Sequence, residues 1–140
     1  MELISMGGLE LRFLQSREAT GADVDMFEMT VQPQARMPVP HYHENWDEAV
    51  YGLAGVVTFT VAGAEVPLGP GESLFIRRGV VHGFRNDGPA QAKCLCLLTP
   101  AMLGPAYFRE MAKLLARQPP DKAAMGEVMR RYGLVPVMPA

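Results

Sequence analysis

Pro38–Gly55, PVPHYHENWDEAVYGLAG, decides how this chain is read. His41 and His43 are two residues apart, so on an extended strand both imidazoles leave one face, with their Cα atoms roughly 7 Å apart. Glu48 stands at an odd offset from His43, and a straight strand would send it to the opposite face. Glu44, Asn45, Trp46 and Asp47 are therefore expected to turn, after which the chain re-enters the sheet with Glu48 aimed back at the histidines. Two neutral imidazoles and a carboxylate meeting at one point suit a first-row divalent metal. Arg36, Pro38 and Pro40 restrict the approach, because proline fixes φ and removes a donor; this piece is expected at an edge or in a connection.

The chain has three histidines, and the third, His82, sits in GESLFIRRGVVHGFRN between Gly71 and Asn86. One histidine on an apolar strand is ordinarily a core residue with satisfied hydrogen bonds. All three falling in two such stretches point instead to a shared site.

These residues resemble the cupin family. His41, Tyr42, His43, Glu48 and Gly55 are similar to its first motif, and Gly71, Gly79, His82 and Asn86 fall at the spacing of its second. Two positions depart from the pattern: Ala35 stands where a glycine usually opens the first motif, and Arg77 where a proline usually precedes the second-motif glycine. Neither position supplies a ligand in the family. The resemblance implies an all-β fold, the double-stranded β-helix or jelly-roll barrel, with His41, His43, Glu48 and His82 as ligands near one open end.

Periodicity agrees with an all-β domain followed by helices. Leu9, Leu11 and Phe13 alternate as in an edge strand, a polar turn is expected over Ser16–Asp23, and Val24–Val31 reads as the next strand. Turn signals at Gly55, Ala62-Gly63, Gly69-Pro70-Gly71, Arg78-Gly79 and Asp87-Gly88-Pro89 then separate short strands at 49–53, 56–61, 65–68, 73–76, 81–85 and 92–98. Six or more short strands with no helix between them argue for an antiparallel sandwich or barrel. Parity places Phe84 and Asn86 on the His82 face, with Phe84 a pocket wall, and turns Tyr51 and Tyr42 away from the ligands.

After Thr99-Pro100 the spacing becomes helical. Phe108, Met111, Leu114 and Leu115 form the stripe of a helix starting near Gly104-Pro105. Pro119-Pro120 stops it, Asp121 caps a second helix with the stripe Met125, Val128, Met129 and Tyr132, and Gly133 and Pro136 close that one. The expected organisation is a barrel over residues 1–103 and a pair of helices within 104–140 packed on it as edge cover, as a pocket lid or against a second subunit.

A chain of 140 residues is large enough to fold without a structural metal. Its net charge of −2 offers nothing to phosphate backbones or anionic lipid. The sequence MELISMGGLE carries neither a basic leader nor a long apolar stretch, so a cytoplasmic protein is expected. Cys94 and Cys96 are alternate residues of one strand and are read as buried thiols, a thiolate metal site being the alternative.

Three imidazoles and a carboxylate leave one or two coordination positions open, which suits catalysis. The ligand set fits one divalent ion among Fe, Mn, Ni, Co, Zn and Cu. The expected activity is that of a metal-dependent cupin enzyme on a small oxygen-bearing molecule, of the quercetinase-like dioxygenase kind. In that reading Glu48 doubles as base, Phe84 walls the substrate pocket, and Asn86 and Arg77 orient the substrate, the alternatives being that Asn86 is a turn residue and Arg77 a solvated one. Non-redox isomerisation, cyclisation or lysis on the same ion is the alternative, as is a binding module without turnover. A homodimer is expected from the resemblance.

Overall fold

The computed structural model describes residues 2–36 and 39–137; Pro38, one of the prolines invoked above, lies outside them. Eleven strands run β1 Glu2–Met6, β2 Leu9–Gln15, β3 Asp25–Val31, β4 His41–His43, β5 Asp47–Ala54, β6 Val57–Val61, β7 Ala64–Leu68, β8 Ser73–Ile76, β9 His82–Arg85, β10 Ala92–Thr99 and β11 Leu134–Pro136. The helices are α1 Arg17–Thr20, α2 Gly104–Leu115 and α3 Lys122–Arg131. The strands form two antiparallel sheets, a six-stranded one ordered β1-β2-β3-β10-β5-β8 and a five-stranded one ordered β11-β4-β9-β6-β7.

Alternation decides which side chains fill the space between the sheets. Along β2, β3 and β10 every second residue is buried, so Leu9, Leu11, Phe13, Phe27, Met29, Cys94, Cys96 and Leu98 project inward. Gly55, after β5, has φ of 62°, and a Cβ there would stand 2.7 Å from the carbonyl oxygen of Gln91. Only glycine both adopts that backbone and lets the neighbouring strand pass so close.

The helices extend this core. Pro105 opens α2, and Phe108 packs its ring 5.4 Å from Phe27 and 5.7 Å from Phe13. The start of α2 is pinned from β3, where Asp25 Oδ2 accepts the Gly104 N–H at 2.9 Å. Asp121 caps α3 as expected, its Oδ1 accepting the Ala124 N–H at 3.0 Å.

Three features differ from the sequence reading. The N-terminal residues add β1 outside β2, so Leu9–Phe13 is interior to its sheet. The polar turn after Gln15 contains a single helical turn, α1, with Ser16 Oγ accepting the Ala19 N–H. Residues 134–136 do not merely stop a helix: they return to the barrel as β11, pairing antiparallel with the histidine strand β4, with Leu134 opposite His43 and Pro136 opposite His41. A proline is tolerated there because β11 is an edge strand.

Candidate metal centre

His41 and His43, alternate residues of β4, both turn inward, and β9 lies beside them with His82 directly opposite His41. All three rings are buried. One ligand atom from each lies within 4.8 Å of the others, and the Nε2 atoms of His41 and His43 are 3.2 Å apart. The Nδ1 atoms of His41 and His82 sit 3.4 Å and 2.9 Å from the carbonyl oxygens of Val39 and Val80. An Nδ1–H donated to a carbonyl fixes the tautomer and leaves Nε2 with its lone pair free.

Electrostatics keeps these rings neutral. Desolvation by burial, reinforced by the neighbouring imidazoles, pushes the pKa of His41 down to about 3 and that of His43 to about 2, and burial lowers that of His82 as well. A cluster of buried, uncharged nitrogens with converging lone pairs fits a divalent cation, which would supply the missing positive charge.

Glu48 is on the other sheet. The chain bends at Glu44–Asn45 and enters β5 of the six-stranded sheet, not the sheet that carries the histidines, so Glu48 faces them across the barrel. Its Oε1 is 3.9 Å from Nδ1 of His43, and it stands beside the mutually close trio of nitrogens rather than within it. Burial raises its pKa to about 7, opposed by a hydrogen bond with the Cys96 thiol. The expected four-ligand set is therefore observed as three converged histidines with a carboxyl held at their side.

The cluster opens on a cavity of about 70 Å³ whose walls include Leu11, Phe27, Met29, Phe59, Phe84 and Leu98. Phe84 is the wall that parity predicted. Two other expected substrate contacts are corrected. Asn86 is buried but spent on the fold, its amide donating to the carbonyls of Val31 and Ala90 at 2.9 Å and its Oδ1 accepting the Gly88 N–H. Parity fails there because β9 ends at Arg85 and the chain turns. Arg77 is exposed in the turn after β8 and does not line the cavity. Tyr51 and Tyr42 face away from the cavity, as expected.

Several residues at the site lay outside the motifs. Cys96 faces Glu48 from β10, and Leu103, Tyr107 and Phe108 close the cavity from the start of α2. The neighbouring Cys94 thiol, then burial, pushes the Cys96 thiol upward in pKa, and burial does the same to the Tyr107 phenol, so both stay protonated. Trp46 is fully buried and stacks on His43, ring centroids 4.5 Å apart and planes 20° apart. The inward parity of Cys96 was available from sequence; the return of α2 over the barrel was not.

Comparison with known proteins agrees with this site. Residues 27–98 match the family model described as Cupin_2, Cupin domain. Quercetin 2,3-dioxygenase of Bacillus subtilis is 34% identical over 79 residues, which are 56% of this chain and only 23% of the dioxygenase. Protein SchB of Streptomyces halstedii is 30% identical over 93 residues, 66% of this chain and 67% of that protein. The solved polyketide cyclase RemF of Streptomyces resistomycificus superposes with a TM-score of 0.60 at 26% identity, over 71% of this chain and 70% of the cyclase. With two facing antiparallel sheets, a histidine trio inside them and a family match across half its length, this chain is a member of the cupin family.

Proposed function

We propose that the chain is a metal-dependent enzyme that takes a small, largely apolar, oxygen-bearing molecule and oxidises it with dioxygen. His41, His43 and His82 would hold the ion, which when bound supplies a Lewis acid to a hydroxyl or enol oxygen and a site for dioxygen. Glu48 takes the proton that the substrate loses. Burial raises its pKa in the metal-free site, which favours its taking up a proton. Once deprotonated, the carboxylate would stand at the side of an ion held by the trio. Cys96 lines the cavity beside this carboxyl, and Phe84, Phe59 and Tyr107 exclude water from the reacting atoms.

The observation that carries this reading is the lining of the cavity. Among the described residues it includes no lysine or arginine, and its polar groups are the three histidines, Glu48, Cys96 and Tyr107. A phosphorylated or dicarboxylate substrate would enter without a counter-charge other than the ion itself. An aromatic or diketone molecule needs none. At about 70 Å³ the cavity is well below the ~300–1,000 Å³ of ordinary ligand pockets, so a ring-sized substrate displaces part of the wall as it enters.

A second reading, cyclisation on the ion without redox chemistry, is favoured by coverage: the likeness to the polyketide cyclase spans 70% of that protein, the one to the dioxygenase 23%. The test is to load the protein in turn with Fe, Mn, Ni, Co, Zn and Cu and to follow dissolved oxygen with flavonol and diketone substrates. Oxygen uptake with product formation supports the oxidative reading. Turnover that persists anaerobically replaces it with cyclisation. A co-purified metabolite left unchanged under every metal makes the chain a binding module.

A further inference from the structure

We propose that Trp46, seated by the turn between α3 and the C-terminal strand β11, is the positioning residue that orients His43, so that the C-terminal segment sets how tightly the histidine trio grips a divalent cation. This rests on the trio being a metal centre. The three imidazoles are not held alike. His41 and His82 each have an Nδ1 tied to a backbone carbonyl, but the buried Nδ1 of His43 has no hydrogen-bond partner. Its nearest charged neighbour, Glu48 Oε1 at 3.9 Å, is beyond hydrogen-bonding reach. Apart from the 3.2 Å contact of its Nε2 with that of His41, nothing polar restrains this ring, and nothing does so from the Nδ1 side.

An aromatic face does. The Trp46 indole lies nearly parallel to the His43 ring at 4.5 Å, and a stacked, fully buried indole blocks rotation of the imidazole out of its plane. Trp46 is seated in turn from outside the motif. A Cβ at Gly133 would stand 3.1 Å from Trp46 Cζ3 and 3.1 Å from Asn45 Nδ2, so the turn after α3 closes directly onto the loop that carries the indole. The backbone ties run alongside: Glu44 N–H donates to the Gly133 carbonyl, Val137 N–H donates to the Pro40 carbonyl, and Leu134 pairs with His43 itself. Partners that orient a metal-binding histidine change metal affinity ~10–100-fold when removed.

The experiment titrates metal-free protein with Co(II), reading the dissociation constant by calorimetry and the cobalt visible bands by absorption, with thermal unfolding of each metal-free variant alongside. Trp46→Leu is expected to weaken Co(II) ~10–100-fold and alter the bands, Gly133→Ala to do so more mildly, and Trp46→Phe, which keeps a ring to stack, to recover most of the loss. Leu68→Ala, a core truncation on β7 that does not line the cavity, is the control for destabilisation alone and should leave Co(II) affinity within twofold. Unchanged affinity and bands in folded Trp46→Leu overturn the inference. Should that variant not fold, unchanged values in Gly133→Ala overturn it equally. A wild-type chain that binds no Co(II), or a His82→Ala variant that binds as tightly as wild type, would instead sink the metal-centre reading beneath it.

Discussion

Glu48 carries the sharpest expectations at the scale of single residues. As the base, its replacement in Glu48→Gln should cut turnover ~10²–10⁴-fold in the metal-loaded enzyme, read as kcat. The same change removes a buried ionisable group whose pKa is raised from 4.5 to about 7. Metal-free Glu48→Gln should therefore be more stable than wild type above pH 7, by up to about 3 kcal/mol in urea unfolding. Loss of turnover with no gain in stability would mean that the carboxyl is not desolvated as the geometry requires.

The histidines titrate the other way. Their native pKa values are depressed, so their contribution is fully present above the ordinary value of 6.5 and is lost as pH falls toward about 3 for His41 and 2 for His43. Glu48, with a raised native pKa, contributes stability that is complete below 4.5 and lost as pH rises to about 7. Between pH 4.5 and 6.5 the two effects oppose, three imidazoles against one carboxyl, and unfolding takes up protons on balance. Metal-free protein should lose stability from pH 6.5 to 5, at a slope of at most about 3 kcal/mol per pH unit, and His43→Gln should flatten that slope. Urea midpoints across the range measure it; an unchanged midpoint would show rings open to water.

Among the elements, α2 and β11 do more than cover an edge. Phe108 joins Phe13 and Phe27 in one ring cluster, so Phe108→Ala should cost about 3–5 kcal/mol in urea unfolding. Deleting residues 104–140 would strip Tyr107, Phe108 and Leu134 from the core as well as from the cavity. That truncation cannot separate a lid from a structural wall. Helices α2 and α3 were legible in the sequence because their ends are written in Pro105 and Asp121. Strand β11 was not, because three residues carry no period and Pro136 reads as a stop. The histidines were legible from their spacing; Glu48 was recognised, but the sheet it would join was not, since a turn hides which partner the next strand will choose. Asn86 misled because parity holds only while a strand continues.

For the whole molecule, metal and fold are linked by mass action. A divalent ion at a thousandfold excess over its Kd should add about 4 kcal/mol to stability and raise the thermal midpoint, and the increment should vanish in His82→Ala. Scanning calorimetry with and without chelator checks it. The homodimer proposed for a cupin of this size is supported by exposed apolar side chains on the outer face of the six-stranded sheet, Tyr51 and Leu53 on β5 and Phe75 on β8. Light scattering should return twice the chain mass, and Phe75→Glu should lower it; a monomeric wild type would end the proposal.

Because the nitrogens ride on one sheet and the carboxyl on the other, neither strand alone sets the gap between them. The thickness of the filling does. Val50 and Phe59, buried on opposite sheets, act as spacers in that gap. Truncating Val50 to alanine should let acid and ligands drift relative to one another, tuning reactivity from a position that does not line the cavity.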